Sequence, residues 1–294
     1  MKILLFGKNG QLGWELRRSL PSIGEVIATD ADEIDLTDRI RVRDFIRSTG
    51  PDVIINASAY TAVDKAESES GLALAINAHA PTLMAEEADR LKALLIHYST
   101  DYVFDGRKGT RYVETDSTNP LNVYGKTKLA GEQGIQSVGG RALILRTSWV
   151  YTTRRDSFVT KVLKWARQQT TLRIVSDQVG SPTWARTLAE TGAQLLALYL
   201  QGGENWIDQK RGLYHLANGG AVSRLEWAQA ILKNDPKPEE QIAREILPAP
   251  TSDFPTPAER PLYSALDCGK FESTFGLRVP GWDEALQLAM TPQE

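Results

Sequence analysis

The chain has 294 residues, of which 41% are hydrophobic and 24% charged, with a formal net charge of -3. That describes a soluble-type globular chain too long for one ordinary core, so two closely packed domains, or one large α/β domain with an elaborated half, are expected. Basic residues are scattered among acids with no aromatic-interleaved cluster, which argues against nucleic acid as a partner, and a single cysteine, Cys268, excludes an internal disulfide or a cysteine-based zinc cage.

The opening "MKILLFGKNG" carries five apolar residues before Gly7. That is too short for a signal-peptide core or a membrane span, so the expected location is the cytoplasm with no membrane attachment. "KILLF" (2–6) reads as a first strand and "QLGWELRRSL" (11–20) as the helix after it. "EVIATD" (25–30), "DVIINAS" (52–58), "ALLIHYS" (93–99) and "ALILRTS" (142–148) repeat the short apolar run, with the long helical pattern "ESGLALAINAHAPTLMAEEADRL" between the third and fourth. Strands alternating with helices of this length predict an α/β fold with a doubly wound parallel sheet.

Beyond Tyr151 the rhythm changes. "VTKVLKWARQQ" and "LAETGAQLLALYL" read as helices, "LRIVSD" and "GLYHLAN" as strands, and "LPAPTSDFPTPAERP" as an extended Pro-rich stretch lying on the surface or wrapping a site. Residues 1–150 are therefore expected to form a dinucleotide-binding domain and 151–294 a smaller, mainly substrate-binding part. Strands near 172–176 and 213–217 are candidates to return to the large sheet. No repeat or low-complexity linker interrupts the chain, which favours a rigid two-part body with a cleft.

"GKNGQLG" sets Gly7, Gly10 and Gly13 between the first strand and the first helix. There glycines allow a tight turn, close approach of backbone N–H groups to a pyrophosphate, and tight helix–strand packing, the Rossmann-type arrangement. Asp30, at the end of the second strand, is placed to accept hydrogen bonds from an adenosine ribose diol, which favours NADH; Lys8, or an arginine from elsewhere in the chain, is the cation able to offset its repulsion of the 2′-phosphate of NADPH. Asp35, in "DLTD", is placed to reach the adenine amine.

"NPLNVYGKTKLAGE" carries the chemistry. Asn119 and Pro120 read as the N-cap and first residue of a helix. Tyr124 and Lys128 then fall on one face, in line with Leu121, Gly131 and Ile135. Of nine tyrosines only Tyr124 has a lysine four residues later. An ammonium beside a phenol favours the phenolate and brings a proton donor into play near neutral pH. "HYSTDYVF" supplies Ser99, Thr100 and Asp101 at the end of the fourth strand, the ligand side of such a sheet, where a hydroxyl can bond a substrate carbonyl or the phenol. His79, His97 and His215 show no metal-ligand spacing and are assigned to packing or surface roles.

These residues resemble the extended short-chain dehydrogenase/reductases, and within them the dTDP-4-dehydrorhamnose reductase family. "LLFGKNGQLGWEL", "NASAYTAVDKAE", "STDYVFDG", "LRTSWVY", "SDQVGSPT" and "PTPAERPLYSALD" carry the resemblance almost end to end. It implies reduction of the 4-keto group of dTDP-4-dehydro-L-rhamnose by NADPH or NADH, for polysaccharide precursor synthesis. It also implies Tyr124 as proton donor, Lys128 as ribose holder and Thr100 as tuning hydroxyl. Gly10, Gln11 and Leu12 match the pyrophosphate loop, Asp30, Asp35 and Leu36 the adenosine end, and Ala59, Tyr60, Thr61 and Tyr98 the rest of the cofactor lining. Thr100, Asp101 and Trp149 match sugar-nucleotide contacts, and Arg260 is the candidate for a phosphate or nucleobase. The chain is expected as a monomer or homodimer, with Glu15 and Glu190 the carboxylates available to an interface Mg²⁺. Sugar-nucleotide dehydratases share the Tyr/Lys pair but carry a glutamate where Tyr102 stands here, and epimerases using a Cys/His pair find no match in Cys268. A non-catalytic regulatory subunit of the methionine adenosyltransferase type shares the fold and is the alternative of a different class.

Overall fold

A computed structural model describes residues 1–291. Six strands form its large sheet: β1 (Lys2–Phe6), β2 (Glu25–Thr29), β3 (Val53–Asn56), β4 (Leu94–Thr100), β5 (Ala142–Thr147) and β6 (Gly212–His215). Their order is β6-β5-β4-β3-β1-β2, every neighbouring pair parallel. The central strands are unbroken apolar runs because both faces are covered. Residues alternate between the faces. Ile3 and Leu5 pack with Leu12 and Leu16 of α1 (Gln11–Ser19) and Leu188 and Leu195 of α6 (Ala185–Lys210). Leu4 and Phe6 point the other way, onto Val42 and Ile46 of α2 (Arg39–Thr49), Leu83 and Met84 of α3 (Ala80–Leu91), and Ile135 of α4 (Val123–Val138). The order reverses between β1 and β3, which opens a crevice at the carboxyl ends of the strands.

Of the two strands expected to return from the second half, the one near 213–217 does so, as β6 beside β5. The one near 172–176 does not: Thr171–Val175 pairs in parallel with Glu245–Ala249 in a separate two-stranded sheet. Its burial alternates, with Leu172 and Ile174 inside and Thr171 and Arg173 exposed. A strand with one wet face suits the edge of a small sheet, not a sheet covered on both sides. Leu172 and Ile174 join a separate core with Val159 and Val162 of α5 (Phe158–Ala166) and Trp227 and Ile231 of α7 (Arg224–Lys233). The start of the Pro-rich stretch is thus strand, and the rest runs as a strap towards the carboxyl ends of the large sheet. The helical pattern between β3 and β4 breaks into Ser70–Leu74, a π-helical turn Ala75–His79, and α3.

Candidate active site

Gly7 ends β1 with φ +88°, the left-handed region. A Cβ there would stand 2.8 Å from Ser58 Oγ, and one on Gly13 would stand 1.9 Å from the Gly7 carbonyl oxygen. Gly13 therefore seats α1 on the loop without itself reaching the crevice, and Gly10 opens α1 with no side-chain cap. The first amides of α1 stay free to meet an anion. The crevice above them has a volume of about 520 Å³ and is lined by Gly7, Gly10, Gln11, Leu12, Asp30, Asp35, Leu36, Ala59, Thr61, Tyr98, Tyr124 and Lys128. Tyr60 turns away from it: its hydroxyl donates to Glu69, which pushes the phenol's pKa up, and its backbone pairs with the Asn77 carboxamide.

Polar atoms at the adenosine end are already engaged. Asp30 accepts from the Asn9 N–H at 2.7 Å and the Ala31 N–H at 2.8 Å. Lys8 donates to both Glu33 carboxylate oxygens at 2.6 and 2.7 Å. Asp35 accepts from the Thr37 N–H and hydroxyl, which hold its carboxyl below the usual range. Arg155, absent from the sequence expectation, also lines the crevice and donates to the Asn9 carbonyl. Nothing in the sequence around it signalled this, since the contact spans the two halves of the chain.

α4 begins at Val123, later than Asn119-Pro120 suggested. Asn122 is the cap, its Oδ1 accepting from the Gly125 N–H at 2.8 Å. Asn119 instead donates to Asp105. The inward face follows as expected, with Lys128 1% exposed. Two glycines let α4 approach its neighbours: a Cβ on Gly125 would lie 2.2 Å from the Tyr102 carbonyl oxygen, and one on Gly131 2.2 Å from that of Asn77.

Burial governs the electrostatics of the pair. It pushes the Tyr124 pKa up, against a lowering by the Thr100 hydroxyl, so the phenol holds its proton. Lys128 is lowered to about 8, first by burial, with Glu132 opposing. Its Nζ donates to the Tyr98 carbonyl at 2.7 Å and lies 3.3 Å from His97 Nε2. This differs from the expectation that the ammonium would pull the phenol down: Lys128 is directed at β4. Thr100 accepts from the Tyr102 N–H at 3.1 Å. Asp101, 2% exposed, accepts from Ser148 and Ser264, and burial raises it to about 6.

Next to this lies a second cavity of about 560 Å³, basic and aromatic, lined by Phe158, Lys161, Trp165, Arg173, Arg224, Phe254 and Arg260. Trp149 lies behind Arg224 rather than in the lining of either cavity, with φ 45°, strained for a bulky residue. It is held by its stack on Trp227, with ring centroids 5.7 Å apart, and by Arg224, whose guanidinium sits 3.7 Å from the ring centroid. A Cβ on Gly180 would meet that indole at 2.4 Å. Arg260 is paired with Asp64 at 2.6 and 2.7 Å. Lys161, Arg173 and Arg224 went unrecognised in the sequence because each sits in an ordinary amphipathic element; "SRLEWAQA" reads only as a capped helix start, and the capping box of Ser223 and Glu226 is present.

The family model described as RmlD substrate binding domain matches residues 1–294. The chain belongs to that family. It is 43% identical to the dTDP-4-dehydrorhamnose reductase of Salmonella typhimurium, over 99% of this chain and 97% of that one. Among solved structures it is similar to a dTDP-4-dehydrorhamnose reductase of Clostridium acetobutylicum, with TM-score 0.88 and 35% identity over 99% of this chain and 98% of that one. The enzyme of the same name from Bacillus anthracis, solved in complex with NADP, gives TM-score 0.88 and 32% identity over 98% of this chain and 97% of that one.

In this member of the RmlD family the two glutamates offered for an interface Mg²⁺ lie among arginines. Glu15 is buried rather than exposed, and burial raises its pKa against the pull of Arg186, Arg18 and Arg154. Glu190 is paired with Arg186 at 2.7 Å. Arginines beside both carboxylates disfavour a divalent cation, and among the described residues no group of three or more His, Cys, Asp or Glu side chains is placed to hold one. Among those residues no helix is long and apolar enough to cross a membrane.

Proposed function

We propose that the protein reduces the 4-keto group of dTDP-4-dehydro-L-rhamnose to dTDP-L-rhamnose with NADPH or NADH. The observation that carries this is the convergence of a protonated Tyr124, the Thr100 hydroxyl and Lys128 at the carboxyl edge of β4, between a glycine-cradled crevice and a basic, aromatic cavity. The crevice fits a dinucleotide. A side chain at Gly7 would intrude on its cradle, and the buried Gln11 Oε1 and Tyr98 hydroxyl have no partner among the described residues. The nicotinamide supplies the hydride when bound. Gly10, Gln11 and Leu12 would hold the pyrophosphate at the start of α1, Asp30, Asp35 and Leu36 the adenosine, and Lys128 the nicotinamide ribose.

Tyr124 donates the proton to the keto oxygen, and Thr100 bonds that oxygen and the phenol. The ammonium form of Lys128 stabilises the phenolate left behind. Arg224, Arg173, Lys161 and Arg260 supply the positive charge for a nucleoside diphosphate, with Phe158 and Trp165 offering faces to its base and sugar. Tyr102, standing after Asp101, leaves no carboxylate for β-elimination at that position, which favours simple reduction. Asp30 discriminates against a 2′-phosphate, while Arg155 on the crevice rim offsets it, so both cofactors serve and Arg155→Ala raises the KM for NADPH more than that for NADH. The decisive experiment incubates the purified protein with NADPH and dTDP-4-dehydro-L-rhamnose: the nicotinamide absorbance falls and dTDP-L-rhamnose forms. A protein that binds the cofactor but leaves its absorbance unchanged would favour the non-catalytic alternative.

A further inference from the structure

His97 lies on β4 directly under the crevice, fully buried, with both ring nitrogens in use. Nδ1 is 3.1 Å from the carboxamide nitrogen of Asn56, and Nε2 is 3.3 Å from Lys128 Nζ. Asn56, also 0% exposed, is oriented by the backbone, because its Oδ1 accepts from the Ser58 N–H at 3.0 Å. Its amino group therefore faces the imidazole. An amide NH₂ only donates, so Nδ1 must accept, and the single proton of a neutral imidazole falls on Nε2. That N–H points at Lys128. An ammonium cannot accept it, whereas an amine can.

The surroundings are consistent with an amine. The Tyr98 carbonyl accepts from either form of the lysine. Glu132, one turn along α4, is the only carboxylate facing it among the described residues, and its charge is tied to Arg146 of β5 at 2.6 and 2.9 Å and to the Ser99 hydroxyl. Asn56 of β3 and Asn77 of the π-helical turn are neutral, and Tyr124 holds its proton. His97 is itself kept neutral, far below the ordinary imidazole range, chiefly by burial.

We propose that His97 is a positioning residue: with its tautomer fixed by Asn56, it stabilises the neutral amine form of Lys128 relative to the ammonium, and Lys128 takes up a proton when the anionic cofactor enters the crevice. Negative charge near the amine favours its ammonium form, which then lets go of the His97 N–H and becomes the cation that the ribose and the Tyr124 phenolate require. The idea rests on the reading of Lys128 as ribose holder, but its first test uses neither cofactor nor substrate, so its failure would leave that reading standing.

The chain has three histidines, so ¹⁵N-histidine spectra of the intact free protein resolve His97 individually. The expected signature is a bare Nδ1 and a protonated Nε2; a proton on Nδ1, or on both nitrogens, overturns the proposal. The second test is calorimetric titration with NADPH in buffers of different ionisation enthalpy. Near pH 8, where Lys128 is half protonated, the wild type takes up about half a proton on binding. In His97→Leu the amine has lost its donor, the ammonium predominates before binding, and uptake falls at least twofold. Equal or greater uptake in the variant would refute the assignment, and because the spectra are taken on the unaltered protein, a variant that fails to fold does not shield it.

Discussion

At the residue scale, burial, more than charge pairing, sets the starting protonation of the site. Tyr124 begins as a phenol, and proton donation by a positioned acid contributes about a hundredfold or more to a reaction of this kind. Tyr124→Phe should therefore lose at least that factor in kcat while its Kd for NADPH, read by fluorescence titration, stays within about twofold; full turnover in the variant would remove Tyr124 from the donor role. Asp101 gives a second test. Its folded pKa of about 6 lies above the unfolded value of 3.8, so the unfolded state loses its proton first as pH rises. The sign follows: this carboxyl costs nothing below pH 3.8, and its cost grows through the interval to a plateau above about 6, worth roughly 3 kcal/mol. In Asp101→Asn that dependence vanishes. Denaturant melts at a series of pH values should show the variant gaining on the wild type between about pH 4 and 6.5, and parallel curves would show that Asp101 does not titrate as buried.

At the element scale the strap 254–264 ties the second half of the chain to the first. Arg260 and the Ala258 N–H bind Asp64, and the Glu259 carbonyl accepts from Asn122 at 2.7 Å, so the residue that caps α4 also holds the strap over the Tyr124 end of that helix. Asp64→Ala removes a half-exposed ion pair worth about 1 kcal/mol. The KM for the sugar nucleotide should rise severalfold, with the Kd for NADPH unchanged; equal loss of both would mean that Asp64 supports the crevice rather than the strap. All six strands of the large sheet, the glycine turn and the inward face of α4 were legible in the sequence because each is encoded locally, by a run of apolar residues or a fixed spacing. What was not legible depends on distant partners. The start of α4 was misplaced because Asn119 and Asn122 are both plausible caps, and it is the Asp105 carboxylate that takes Asn119. Thr171–Val175 was offered to the large sheet because its partner, Glu245–Ala249, lies in a stretch rich in proline. Arg155, Arg224 and His97 gain their positions only from the tertiary fold; in the sequence each is one polar residue in an ordinary run.

At the scale of the whole molecule, the expected split at residue 150 does not separate two folding units. One face of the large sheet is covered by residues from beyond that point: Leu188, Leu195 and Leu196 of α6, with Phe271 and Phe275, pack on Ile3, Leu5, Ile55, Ile96 and Leu145. β6 closes the edge of β5 as well. A fragment 1–150 would expose that face, and each aliphatic side chain left wet costs about 1.5–3 kcal/mol. Several such losses exceed the 5–15 kcal/mol by which a typical protein is stable. The fragment should show no cooperative thermal transition and should aggregate, with an open hydrophobic edge strand adding to the tendency. The intact chain should unfold in one transition, and saturating NADPH at about 100 times its Kd should add roughly 2.7 kcal/mol to the stability of the whole rather than of one half. A fragment that melts cooperatively and still binds NADPH would show that the crevice stands without α6 and β6, and that the two halves fold as separate units.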